Sequence, residues 1–261
     1  MQKPKHLSIE YASQFKDRSI VDAYHHRQSY PAEVFTILTN LMTGEPRTVL
    51  DVGCGTGDLA RNLAPLVERV DAVDFSQNMI EKGKSLPGGD HPNLNWIYGR
   101  VEEVPLHPPY ALVTAGESLH WMEWDIVLPL FRKILAPGGY LAIVGRIGNP
   151  KPWENELRTI IPQFATNKDY QPYDLIEELE LRGLFQKRGE IHTTPVPFVQ
   201  SVDSYIESFH SMNGFSRDRM GEEMATAFDD AVRNAVSSFQ KDGQLTMSVS
   251  GGVVWGIPGK A

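Results

Sequence analysis

The stretch VLDVGCGTGDLARNL, residues 49–63, sets three glycines at alternate positions directly behind a short apolar run. A strand that ends at Val52 and turns at once into a helix needs backbone angles that side chains resist, and glycine alone adopts them cheaply. The missing Cβ atoms also leave bare backbone beside a helix N-terminus, where a ligand can lie close. The spacing is G-x-G-x-G, at Gly53, Gly55 and Gly57, with Asp51 just before it. The dinucleotide fingerprint is G-x-G-x-x-G, so the last pair here is one residue closer. A second acid, Asp74, closes the next apolar run, RVDAVDF. An acid in that place accepts hydrogen bonds from ribose hydroxyls. The plainer reading is a tight strand-to-helix turn with a solvated aspartate beyond it, and the conjunction of turn and acid stands against it.

From about residue 47 to 147, short β-branched runs alternate with helical ones, as in a parallel sheet with crossover helices. TVLDV, RVDAVDF, LNWIYGR, YALVTAG and YLAIVGR read as five strands. DLARNLAPLVE, SQNMIEKGKSL with Ser76 as its N-cap, and WDIVLPLFRKIL read as helices, the last stopped by APGG. Ahead of this core, residues 10–42 predict two helices divided near Tyr30-Pro31, because the residue before proline disfavours the helical region. Beyond Gly148, PWENELRTIIPQF and YDLIEELELRGLF read as helices and GEIHTTPVPFVQ as a strand. Residues 201–240 read as mostly helical, and QLTMSVSGGVVWGIP as a closing strand pair or one strand broken at Gly251-Gly252. The expected fold is α/β: a Rossmann-like, doubly wound, mostly parallel sheet. A helical lid over 1–46 precedes a core over 47–261, with a helical insertion at 201–240 before the last strand.

The formal charge is −8, from 25 basic and 33 acidic side chains, so no basic field is available to gather a phosphate backbone. Nucleic acid is not expected as a partner. A single cysteine, Cys54, excludes an internal disulfide and a cysteine-based zinc site. The histidines lack metal-ligand context, and no metal is expected. The N-terminal stretch MQKPKHLSIEYASQFKDRS shows no apolar signal region, and no window approaches the roughly 20 apolar residues of a membrane span. The expected location is the cytoplasm, without membrane association.

VLDVGCGTGDLA, VDAVDFSQNMI, GRVEEVP and ILAPGGYLAIV, taken in order over about 100 residues, resemble the class I S-adenosylmethionine-dependent methyltransferases. That resemblance implies a cofactor, S-adenosylmethionine, and a site for it. Asp51 and the glycines 53, 55 and 57 would face its methionine part, and Asp74 its ribose. Phe75 and Met79 would flank the adenine, with Val101 and Glu102 on the other side. The family often has Asp-Ala where this chain has Arg100-Val101, which puts adenine hydrogen bonding by the first of these side chains in question.

Two further stretches, YHHRQSYP from Tyr24 to Pro31 and ESLHWM from Glu117 to Met122, are similar to a small-molecule branch that includes trans-aconitate methyltransferase. The resemblance places Tyr24, Arg27 and Glu117 at the cofactor, with Arg27 paired to its carboxylate; a surface arginine beside an aromatic is the alternative. His120, at the end of the fourth strand, is the candidate general base, since imidazole titrates near neutrality. A packing role for it stands equally. Trp121 is either a pocket wall or core. Arg146 is either a ligand of an acceptor carboxylate or a salt-bridged surface group. Phe209 and His210, in SVDSYIESFHSM, are expected near the pocket mouth. HPPY, His107 to Tyr110, precedes its strand and offers no side-chain carbonyl, so it reads as a stiff turn and not as an amine-gripping motif.

Three functions are open: methylation of a small-molecule acceptor, at oxygen first and then nitrogen or carbon; cofactor binding without transfer; and nicotinamide-dependent oxidoreduction, which the shortened glycine spacing opposes.

Overall fold

The computed structural model describes residues 3–259. In chain order the elements are α1 (Ile9–Ala12), α2 (Arg18–Ala23), α3 (Ala32–Asn40), β1 (Thr48–Val52), α4 (Asp58–Leu63), β2 (Arg69–Asp74), α5 (Gln77–Lys84), β3 (Leu94–Tyr98), β4 (Tyr110–Gly116), α6 (Trp124–Ile134) and β5 (Leu135–Gly148). Then come α7 (Glu154–Phe164), α8 (Leu175–Leu181), β6 (Phe185–His192), β7 (Val196–Ser201), α9 (Val202–His210), α10 (Arg217–Met220), α11 (Glu222–Val236) and β8 (Gln244–Pro258). These fall into two units. The larger comprises residues 30–147, 172–194 and 250–259, and the smaller 3–29, 148–171 and 195–249.

In the larger unit the strand order is β3-β2-β1-β4-β5-β8-β6. β1 pairs in parallel with β2 and β4, β2 with β3, and β4 with β5, whereas β6 runs antiparallel to β8. All five residues of β1 are buried, as expected of a parallel strand covered on both faces. Val49, Leu59, Leu63, Val70, Leu112, Val144 and Val253 belong to its core, with Val34 and Leu38 of α3. Thus α3, within the predicted helical lid, belongs to the sheet-bearing unit. The order reverses between β1 and β4, so a crevice opens outside the carboxyl ends of these strands.

The smaller unit has its own aromatic core of Trp153, Tyr205, Phe209, Phe215 and Phe228. There Trp153 Nε1 donates to Tyr205 Oη at 2.9 Å. β7 pairs antiparallel with the 244–249 half of β8.

Several local expectations change. The first predicted helix is broken into α1, α2 and 3-10 turns, so Tyr24 lies in a 3-10 turn and Arg27 is extended beyond it. The predicted strand over 189–200 is two strands, β6 on the 252–258 half of β8 and β7 on its 244–249 half; between them the Thr193 N–H donates to Gly251 O at 2.8 Å and the Thr193 hydroxyl oxygen accepts the Gly251 N–H at 2.8 Å. β8 runs unbroken through Gly251-Gly252; a Cβ at Gly251 would collide with Val34, so the glycine there makes room for α3. APGG loops out within β5, between Leu135 opposite Tyr110 and Tyr140 opposite Leu112. HPPY closes on a buried acid: the His107 N–H donates to Tyr110 Oη at 2.9 Å, which donates to Asp71 Oδ2 at 2.6 Å. Among the described residues, no helix is long and apolar enough to cross a membrane.

Gly57 has φ +77, and a Cβ there would meet the indole of Trp96. Gly57→Ala is therefore expected to lower unfolding free energy by about 2–4 kcal/mol, the sum of a left-handed penalty and overpacking. Urea denaturation with an unchanged m-value is the check.

Candidate functional site

The turn after β1 holds Gly53, Gly55 and Gly57 at φ 64, 56 and 77, a left-handed series that other residues resist. Its position is fixed from two sides. From β2, Asp74 accepts the Gly55 N–H on Oδ2 at 2.8 Å and the Ser76 N–H on Oδ1 at 2.7 Å. From the end of β4, Ser118 donates its hydroxyl to Val52 O at 2.5 Å, and its Cβ sits where a Cβ on Gly53 would approach to 2.6 Å.

Below the turn lies Asp51, 1% exposed. Thr114 donates to its Oδ1 at 2.8 Å, while Oδ2 is buried without a hydrogen-bond partner. Burial pushes the Asp51 pKa up to about 7; the Thr114 hydroxyl and the Ala60 backbone N–H oppose the rise, and Asp74 and Asp58 add to it. A buried carboxylate oxygen short of a donor, beside bare backbone and a second acid held by two N–H groups, suits a ligand that brings a cation and a diol. The residues present therefore fit the adenosyl sulfonium that the sequence resemblance implies. Burial also raises the Cys54 thiol well above its ordinary range, so it offers no ready nucleophile.

Of the residues expected around an adenine, Phe75 is half-buried, whereas Met79 and Val101 are packed into the interior. Glu102 accepts from Arg100 Nε at 2.8 Å and is paired with the same guanidinium through Nη2. Arg100 is thus an ion-pair partner of Glu102, and the carboxylate comes to this edge from two positions further along than the family's aspartate.

At the carboxyl end of β4, Glu117 adopts φ 53, an uncommon value for a side chain of that kind. The next turn, Leu119–Trp121, carries His120 half-buried, its ring 4.7 Å from that of Trp121. Arg146 is ion-paired, the second of its two readings. Its Nη1 donates to Glu117 Oε2 at 2.6 Å, its Nη2 to Asp58 Oδ2 at 2.6 Å, and its Cζ lies 3.9 Å over the Tyr30 ring. Two carboxylates and an aromatic face occupy the guanidinium, which is 14% exposed. Asp58, Thr114 and Ser118 were not singled out from the sequence, and Tyr30 entered only through the YHHRQSYP stretch and the break before Pro31; Asp58, first in the helix after the glycine turn, had a positional signal.

The remaining expected site residues lie in the smaller unit. Arg27 donates through Nε to Ser211 Oγ at 2.9 Å and through Nη2 to Ser211 O at 2.5 Å, with its Cζ 4.3 Å over the Tyr24 ring. Tyr24 and Arg27 do meet, through this stacking and not along a helix face. Phe209 and His210 are both buried within the smaller unit. Phe209 packs edge-on against Tyr205 and Phe228. His210 is fully buried, with Nε2 2.7 Å from Asp229 Oδ1 and Nδ1 2.7 Å from Phe215 O. Both ring nitrogens are thereby committed to holding α9 against its own unit.

The raised Asp51 pKa has a stability consequence in the ligand-free protein. Between about pH 4 and 7 the folded state keeps a proton that the unfolded chain has lost, so stability falls as pH rises through that window and levels off above it. Asp51→Asn removes the dependence. It is expected to match the unsubstituted protein near pH 4 and exceed it near pH 8 by up to about 4 kcal/mol in urea denaturation.

A family model described as a methyltransferase domain matches residues 49–139. The chain is 33% identical to malonyl-[acyl-carrier protein] O-methyltransferase of Halalkalibacterium halodurans, over 37% of this chain and only 38% of that protein's length. It is 34% identical to demethylmenaquinone methyltransferase of Staphylococcus aureus, over 59% of this chain and 71% of that protein. In fold it is similar to a proposed type II methyltransferase from Anaeromyxobacter dehalogenans, with a TM-score of 0.60, 21% identity, and coverage of 89% of this chain and 99% of the other. With the glycine turn, its two flanking acids and the strand order on the same stretch of chain, these matches place the protein in the class I S-adenosylmethionine-dependent methyltransferase family.

Proposed function

We propose that this protein transfers a methyl group from S-adenosylmethionine to a small-molecule acceptor, at an oxygen atom. The observation that carries the reading is Asp51 Oδ2, buried and lacking a hydrogen-bond partner beside three left-handed glycines, with Asp74, on the neighbouring strand, held by two backbone N–H groups. Asp51 would receive a cationic group at the methionine end, and Asp74, at the end of the second strand, the ribose hydroxyls. Phe75 offers an aromatic face for the base. When bound, the sulfonium supplies an already activated methyl group, so much of the acceleration comes from alignment in a dry pocket.

His120 is assigned the proton of a hydroxyl or amine acceptor, which a carboxylate acceptor does not carry. General-base assistance is typically worth about a hundred- to ten-thousand-fold, so His120→Ala would slow a hydroxyl acceptor and spare a carboxylate. The O-methyltransferase among the relatives agrees with oxygen as the acceptor atom. The segments outside the sheet, rather than the glycine turn, are assigned the choice of acceptor.

Calorimetry with S-adenosylhomocysteine tests the reading. The unsubstituted protein is expected to bind it, and Asp74→Ala to bind at least about tenfold more weakly, the loss of charge-assisted hydrogen bonds to a diol. Equal affinity in the two proteins would remove the ribose assignment.

A further inference from the structure

Glu117 holds its unusual φ of 53 because it is tied on every side. Its N–H donates to Val144 O at 2.9 Å. Its Oε1 accepts the Arg146 N–H at 3.1 Å, and its Oε2 the Arg146 Nη1 at 2.6 Å. Strain of this kind, of the order of 1–3 kcal/mol, persists only where the surroundings over-determine it. The tie links β4 to β5, and through Asp58 it reaches the first residue of α4. These are the carboxyl ends of the central strands and the helix that follows the glycine turn. The next residue, Ser118, is the one braced against Gly53. The Arg146 cluster is therefore built onto the methionine side of the glycine turn. The Tyr30 ring closes its other face, and Gly116 leaves room for the Tyr30 hydroxyl, which a Cβ there would approach to 3.0 Å.

Among Arg146, Glu117 and Asp58, one guanidinium stands between two carboxylates, and the sum is one negative charge. The donor and the product of the proposed reaction differ by one positive charge, present on the sulfonium and absent from the thioether. Carboxylates near the sulfur favour the donor over the product. They favour it over the transition state as well, because the charge on sulfur is fading as the methyl group leaves. Attraction that is stronger in the ground state than in the transition state lowers the dissociation constant without raising the rate.

The geometry points to Arg146 as a specificity-determining residue whose guanidinium offsets Glu117 and Asp58, holding down the pocket's preference for sulfonium donor over thioether product. This inference rests on the proposed binding of S-adenosylmethionine at the glycine turn. It assigns to Arg146 a function that a merely structural clamp lacks, since loss of a clamp weakens both ligands alike.

The ratio of affinities for S-adenosylmethionine and S-adenosylhomocysteine, each titrated by calorimetry at one ionic strength, is the readout. In Arg146→Met the ratio is expected to shift toward S-adenosylmethionine by about tenfold, the effect of one uncompensated charge at intermediate effective dielectric. In Glu117→Gln, which leaves Arg146 in place, it is expected to shift by a similar factor the other way. Arg146→Lys keeps the charge and should hold the ratio even if both affinities fall. Should Arg146→Met fail to fold, Glu117→Gln and Asp58→Asn carry the test through the same opposite shift. Unchanged ratios in the folded variants, with both ligands still bound, overturn the inference and leave the binding site standing. Failure of the unsubstituted protein to bind either ligand overturns the site itself.

Discussion

The bond from the Gly55 N–H to Asp74 Oδ2 couples the loop after β1 to the end of β2, and the rest of the site is arranged about it. A left-handed series at three alternate residues closes only in part on backbone, through Gly57 N–H to Cys54 O at 2.8 Å and Cys54 N–H to Val73 O at 3.0 Å. It needs an acceptor at a fixed place, and a carboxylate at the end of the neighbouring parallel strand is such an acceptor. Charge-assisted bonds of this kind are short and roughly twice as strong as neutral ones. The same bond keeps Asp74 pointed into the turn, so the element that stabilises the loop is also the element that can meet a diol.

The crevice is rich in acid. Asp51, Asp58, Asp74 and Glu117 all lie at the carboxyl ends of β1, β2 and β4 or at the helix start beside them. Each is managed differently. Asp74 is held by backbone N–H groups, and Glu117 and Asp58 share a guanidinium. Asp51 is left with one oxygen unsatisfied in a dry environment. A buried polar atom without a partner costs roughly 1–3 kcal/mol, and the expected return is at a binding site, where a ligand supplies the missing donor.

Much of this was legible in the sequence because its causes are local. Glycine spacing, β-branched runs and the proline in Tyr30-Pro31 act on neighbouring residues, so β1, β4 and α6 fall where the pattern puts them. Asp51 and Asp74 were readable for the same reason, each lying at the end of an apolar run. Errors came where a distant partner overrides local preference. Gly251-Gly252 looks like a break but serves a continuous strand, because the space that a Cβ would take belongs to Val34, more than two hundred residues earlier in the chain. Resemblance put His210 near a pocket mouth; in the fold, Asp229 Oδ1 and Phe215 O lie 2.7 Å from its two ring nitrogens, contacts that no local pattern announces.

The sequence alone therefore determined the doubly wound sheet, the glycine turn and the acids on either side of it, since periodicity and backbone preference decide these within a few residues. Only the tertiary structure decided the fate of Arg146. Its partners are 88 and 29 residues away, at Asp58 and Glu117, and nothing in the run around it announces them. A charged side chain takes the partners that folding brings within about 3 Å. That proximity is a property of strand order and register, which the one-dimensional pattern constrains but does not contain.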